Sequence, residues 1–334
     1  MIPGARRAGG LIFVSGHAGM EPDGRDALDQ VAGALKSVGA TLEDVVDVLS
    51  FHTDVRGIDA VLETAAELFP ALPTWTPLGT TGLAESDGRV SIRAIARAGG
   101  DDDLLFFSSR ADGDLPADPA TQAESAYAQA REAVEAAGGT MDDVIDICSF
   151  HLDPRRMVPC EQLHNDMWAD VPLDEAPAWT AIGAPALHRP GQLVQYRMIA
   201  DLSPGRRIAK TPASLHWKHC PISGGTRKQH GRLIGIAGEV ASDAEGNITT
   251  PGDTLNQARY AFSRIREVVE MHGVDMSHVV EITAFHKDHR AWEIVTEAAH
   301  EYFDEDAWPA WTSVGMTGLW NPGYLHEIYA LAVV

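Results

Sequence analysis

One block, Pro-x-Trp-Thr-x-x-Gly-x-x-x-Leu, occurs three times in the chain: Pro73 to Leu83, Pro177 to Leu187 and Pro309 to Leu319. Its indoles, Trp75, Trp179 and Trp311, each offer a flat apolar wall and a single N–H donor. They suit either a stacking surface for a planar ligand or the filling of a seam. Upstream of each block stands Phe-His-x-Asp, so that His52, His151 and His286 lie two residues before Asp54, Asp153 and Asp288. Three imidazoles could gather around a metal or act as a general base. The spacing matches no known ligand set, however, and reads as a ring hydrogen-bonded at a strand end. The run His216-Trp217-Lys218-His219-Cys220 has metal-prone side chains but no second half at ligand spacing, and reads as a ligand-lining or seam-packing loop. Cys148, Cys160 and Cys220 make neither a spaced metal set nor an even disulfide framework. Cys148 reads as strand core. No Gly-x-Ser-x-Gly, P-loop or dinucleotide fingerprint occurs. No metal or cofactor is expected.

These marks belong to a longer repeat. Asp44 to Asp54 recurs as Asp143 to Asp153 and as His278 to Asp288, and Gly39, Gly138 and Gly273 stand five residues before each copy. A large aromatic (Phe69, Trp168, Phe303) follows fifteen residues after each closing Asp. The element order is the same each time. A strand opens it (Leu11-Ile12-Phe13-Val14, Leu104-Leu105-Phe106-Phe107, Leu233-Ile234-Gly235-Ile236). A helix follows with apolar residues at i, i+3 and i+7: Leu28/Val31/Leu35, Tyr127/Ala130/Val134 and Phe262/Ile265/Val269. The glycines fit the left-handed position that ends such a helix. The Phe-His strand, a second helix such as Ile58 to Ala66, the Trp-Thr strand and a last strand (Val90 to Ala96, Val194 to Ala200, Glu327 to Val333) complete the unit. Such a unit covers one sheet face with helices and leaves the other bare, and three units can cover it by packing sheet to sheet around a pseudo-threefold axis. The expected repeats are 1–99, 100–204 and 205–334, joined near Ala98-Gly99-Gly100-Asp101-Asp102-Asp103 and Leu202-Ser203-Pro204-Gly205.

The chain has 334 residues, with 26 Lys+Arg against 48 Asp+Glu and a formal charge of −22. That balance argues against a nucleic-acid binder, which needs clustered cations. No apolar run approaches the roughly 18 residues that span a bilayer. The stretch after Arg6-Arg7 is too short for a signal-peptide core. A cytoplasmic protein is expected, with no nucleic-acid or membrane partner.

Leu11 to His17, Gly39 to Val46 and Val90 to Ala96 resemble the RidA/YjgF/YER057c/UK114 family, and the resemblance runs nearly the whole chain, three times over. It implies an α+β fold of chorismate-mutase-like units. They would form an intramolecular pseudo-trimer with a central sheet barrel and outer helices, and ligand clefts between neighbouring units. The chain would then work as a monomer, with further oligomerisation open. The family's best-known activity is hydrolysis of reactive enamines and imines to ketones with release of ammonia.

The departures bear on the chemistry. Where the family's deaminases carry an Arg that clamps a substrate carboxylate, this chain has Trp75, Trp179 and Trp311. The family's last-strand Glu is matched by Ser91, Gln195 and Glu327, and two residues on stand Arg93, Arg197 and Tyr329. The third position of the Ser-Gly-Gln turn is His17, Arg110 and Glu239. The family's N-terminal element survives loosely as Pro221-Ile222-Ser223-Gly224-Gly225, is truncated at the chain start and is missing from the second repeat. The resemblance thus implies one or two working clefts. Glu327, Glu239 and His17 are the candidate catalytic groups. Trp75, Trp179, Trp311, Arg93, Arg197, Arg110 and Tyr329 are the candidate substrate contacts. Each has a plainer reading: a solvated acid, a salt bridge or core. The implied function is hydrolysis of a small planar imine, enamine or amide-like substrate. The alternatives are a non-catalytic binding or regulatory protein and a cyclic-amide hydrolase of the barbiturase type. The last needs Ser–Lys pairs, and none of Lys36, Lys210, Lys218, Lys228 and Lys287 recurs at an equivalent position.

Overall fold

A computed structural model describes residues 2–84, 87–99, 103–172, 175–214 and 220–334. Gly100 to Asp102 of the first join, and His216 to His219 of the His/Cys run, lie outside the described residues. The first repeat runs β1 (Ala5–Ala8), β2 (Leu11–Gly19), α1 (Arg25–Ser37), β3 (Val45–His52), α2 (Ile58–Leu68), β4 (Thr74–Gly79), β5 (Gly82–Leu83) and β6 (Val90–Arg97). The second runs β7 (Leu104–Ser108), α3 (Pro119–Ala136), β8 (Val144–His151), α4 (Val158–Met167), β9 (Ala178–Gly183) and β10 (Val194–Asp201). The third runs β11 (Arg207–Lys210), β12 (Gly225–Lys228), β13 (Leu233–Glu239), α5 (Thr254–Met271), β14 (Val279–His286), α6 (Trp292–Ala299), β15 (Ala310–Gly315) and β16 (His326–Val333).

The periodic apolar residues of α1, α3 and α5 are buried against their own sheets. Gly39, Gly138 and Gly273 carry φ of 78°, 86° and 83°, so each helix stops where only glycine enters the left-handed region cheaply. The second helix of each unit is a crossover that makes β3/β4, β8/β9 and β14/β15 parallel pairs. The register is conserved: Trp75 lies opposite Val48, Trp179 opposite Ile147 and Trp311 opposite Ile282.

The sheets have strand orders β1-β2-β6-β3-β4, β7-β10-β8-β9 and β11-β12-β13-β16-β14-β15-β5. The expected central barrel is therefore three sheets, with no closed hydrogen-bonded barrel among the described residues. The ring is closed by backbone pairing between units, such as β5 with β15 and Gly183 N with Gly318 O, together with side-chain bonds. Thr74 Oγ1 donates to Phe106 O (3.0 Å), Gly238 N to Thr180 Oγ1 (2.8 Å) and Trp311 N to Ser15 Oγ (2.9 Å). Each unit's Trp strand thus abuts the first strand of the next unit, and the third returns to the first. Inside, a shared core gathers Phe51, Phe150 and Phe285, with ring centroids 6.4 Å (Phe51–Phe285) and 6.1 Å (Phe150–Phe285) apart. Among the described residues no helix is long and apolar enough to cross a membrane.

The same inner face carries a buried polar cluster. Arg197 Nε and Nη2 donate to Asp47 at 3.1 and 2.7 Å, and Arg93 Nη1 lies 2.9 Å from Glu281 Oε1. Tyr329 Oη donates to Asp146 Oδ2 at 2.8 Å. Arg93, Arg197 and Tyr329, expected in clefts, thus sit at most 1% exposed among axial acids. The last strand runs from cleft to axis, so two residues, roughly 6–7 Å, separate Glu327 from Tyr329. Asp47, Asp146 and Glu281 need cations once buried. Two guanidiniums face three carboxyls, and burial pushes Asp146 up to about 7.

Candidate functional site

The indoles are fixed before any ligand is considered. Trp75 Nε1 donates to Ser50 Oγ (2.8 Å) and Trp179 Nε1 to Ser149 Oγ (2.9 Å). Those hydroxyls in turn share hydrogen bonds with His52 Nε2 (2.8 Å) and His151 Nε2 (2.9 Å). In the third unit Ala284 replaces the serine, and Trp311 Nε1 turns to Ser313 Oγ (2.8 Å). Burial holds His52 and His151 at about 3, and His286 well below its ordinary value, so the imidazoles are neutral. Among the described residues no group of three His, Cys, Asp or Glu side chains could hold a metal. In the first two units the Phe-His marks therefore brace the indoles, whose remaining surface is apolar.

The three seams differ. Between the first and second units lies an open groove lined by Trp75, Phe107, Ser108, Arg110, Gln129 and Glu132. Among the described residues, the second sheet has no strand before β7 to strap this groove. Gln195, at the family's acid position, is tied to Ser108 Oγ and Ser109 O. Between the third and first units, residues 2–4 lie over the seam. Ser15 N donates to Gly4 O, Ser15 Oγ to Pro3 O, and His17 Nε2 is 3.3 Å from Gly4 O. Ile2 packs into the core holding Trp308 and Trp311, and Trp311 is buried.

The seam between the second and third units holds a half-open cavity of about 80 Å3. That is well above the ~10–15 Å3 needed to hold one water, so the cavity takes a small ligand. Trp179 forms one wall, stacked at 4.2 Å and 15° on His164. His164 is fixed by Tyr127 Oη (2.9 Å) and by Pro221 O of the next unit (3.2 Å). Opposite stand Glu239 and Glu327, with Glu161, Cys220, Trp320 and Tyr324 completing the lining. A register shift between Ile236 and Glu239 breaks the β13–β16 ladder, the kind of bulge that re-aims a side chain. Glu327 accepts the Ala181 N–H across the seam. It lies so close over Gly238 that a Cβ there would meet its Oε1 at 2.2 Å.

Burial raises both acids. Glu239 is pushed up to about 8, and neither of its oxygens has a hydrogen-bond partner among the described residues. Glu327 is raised well above the carboxylate range by burial, with Glu239 adding to the effect. Glu239 is therefore held protonated near neutrality, burial favours the protonated form of Glu327 as well, and each can give a proton to a bound base and take it back. The structure thus brings together Trp179, Glu239 and Glu327. It separates Trp75 and Arg110 into the open groove, Trp311 and His17 into the covered seam, and Arg93, Arg197 and Tyr329 onto the axis. Sequence reasoning missed Ser50 and Ser149, although Ser-Phe-His recurs in two repeats. It also missed Asp47, Asp146 and Glu281, an acid repeated inside an apolar strand three times.

The sequence model of a family described as Endoribonuclease L-PSP matches residues 3–98, 105–202 and 224–334. Among curated relatives, RutC family protein YjgH of Escherichia coli (strain K12) is 38% identical over 106 residues, 28% of this chain and 79% of its own. A 2-iminobutanoate/2-iminopropanoate deaminase of Dermatophagoides farinae is 26% identical over 91 residues, 27% of this chain and 70% of its own. A chorismatase crystal structure superposes with a TM-score of 0.61 at 15% identity, over 87% of this chain and 93% of that one, a likeness of fold alone. With matches over each of the three units, the chain belongs to the Endoribonuclease L-PSP family, also called RidA/YjgF/YER057c/UK114, with three of its members' units in tandem.

Proposed function

We propose that the chain is a RidA-like hydrolase acting on a small imine, enamine or amide-like compound. It would be built from repeats 1–99, 100–204 and 205–334, with its working site in the cleft between the second and third. The observation that carries this reading is the pairing of two buried carboxyls, whose burial favours their protonated forms, with the Trp179 wall in one cavity. Relatives named as 2-iminobutanoate/2-iminopropanoate deaminases support the reaction class. Glu327, as acid, protonates the C=N nitrogen. The resulting carboxylate takes a proton from water as the water oxygen bonds to carbon. The carbinolamine then collapses: Glu327 gives its proton to nitrogen as the C–N bond breaks and takes the hydroxyl proton as the C=O bond forms, releasing ketone and ammonia with the acid restored. Glu239 keeps the local field acidic, and Trp179 presents the planar face.

Ammonia release from imines generated in place, and then from cyclic amides, tests this. Glu327→Gln is expected to lower turnover about 10²–10⁴-fold, and silence of the wild type on both panels would refute it. The loss of the carboxylate clamp in all three clefts favours a second reading, a binding protein without turnover. Thermal shifts with planar metabolites and no product would support that one. The cyclic-amide hydrolase alternative lacks its lysine, since none lines the cavity among the described residues.

A further inference from the structure

We infer that this cavity selects a small organic cation, a protonated imine or amine without a carboxylate, so that the polarity of the family's cleft is reversed. The inference rests on the proposed site and names its substrate class. Three acids (Glu161, Glu239, Glu327) and three aromatic residues (Trp179, Trp320, Tyr324) line the cavity, with no Lys or Arg among its described lining residues. Glu239 is 1% exposed and aimed into the space, with neither oxygen partnered among the described residues. Once ionised, a carboxylate in that position requires a positive partner. The cation in its field, Arg264 of α5, is already engaged: Nη1 donates to Ser214 Oγ, and Nη2 donates to Ser214 O (2.6 Å), Ser242 O (2.8 Å) and Tyr260 Oη (2.9 Å). A ligand N–H+ would supply the missing charge while an indole face covers its apolar part. A ligand carboxylate would instead meet Glu239 and Glu327 with no donor fork to receive it.

Glu239 is faced by Arg264 and Glu267 of α5 and by Glu327 of β16. Cation binding to protonated acids releases a proton, so affinity rises with pH up to about 8. Calorimetry with isobutylammonium and isobutyrate, each unreactive and small enough for the cavity, tests the inference on the full chain. The expected result is at least tenfold tighter binding of the ammonium, with a proton release seen by repeating the titration in buffers of different ionisation enthalpy. Glu239→Gln is expected to lower ammonium affinity at least tenfold and to abolish most of that release, with circular dichroism checking that the variant is folded. Equal or tighter binding of isobutyrate, or ammonium binding indifferent to Glu239→Gln, would overturn it. Turnover of neutral or anionic imines with no ammonium binding would overturn this inference while leaving the hydrolase intact. Ammonium binding without turnover of any imine would do the reverse.

Discussion

Trp179 shows how a residue can be legible in type and illegible in duty. The repeat marks the indole, but only the fold reveals that its N–H is spent on Ser149 Oγ, leaving a purely apolar wall. Ser149→Ala should cost about 1–3 kcal/mol, the price of a buried donor left unpaired. In the third unit the serine has moved two residues past the indole, to Ser313. Adding Ala181→Ser to Ser149→Ala should therefore recover much of the loss in urea denaturation. Arg93 and Arg197 mislead for a related reason: strand alternation places them on the same face as the cleft residues but cannot say how far along the strand the cleft ends. Arg197→Met would leave Asp47 and Asp146 without their guanidinium and should destabilise the fold by about 3–5 kcal/mol. Binding in the 2/3 cleft should persist in the fraction that remains folded.

Among the elements, the helices were the most legible. Their i, i+3, i+7 positions and terminal glycines are local properties, and α1, α3 and α5 follow them. The bulge before Glu239 was not legible, because it depends on the partner strand β16 rather than on β13 alone. Gly238 sits in that bulge and gives Glu327 its room. Gly238→Ala should push the Glu327 carboxyl aside and lower turnover about 100-fold, the scale expected of a misplacement near 1 Å. Far-ultraviolet circular dichroism should remain that of the wild type.

For the whole molecule, threefold repetition announced a ring, but not which seam would be open. That depends on the segment preceding each first strand: residues 2–4 cover one seam, Ile222 to Gly224 line another, and among the described residues the second unit shows no counterpart. The axis also sets a pH dependence. Asp146 has a folded pKa of about 7, above its ordinary 3.8. The folded state therefore holds the proton more tightly, and Asp146 costs stability progressively as pH rises from about 4 to about 7. Asp146→Asn should flatten that decline, so the difference in unfolding free energy between variant and wild type should grow in the variant's favour across the same window.

The bond from Trp311 N to Ser15 Oγ joins residues 296 positions apart. Three separate chains would have to meet in solution to make such a ring, and would come apart on dilution. Here the encounter is replaced by loop closure, whose entropic cost grows only with the logarithm of length. The cavity should therefore survive at nanomolar protein. It is complete only when β16, which carries Glu327, lies between β13 and β14, so a ligand that recognises Glu327 reports that this strand is in place.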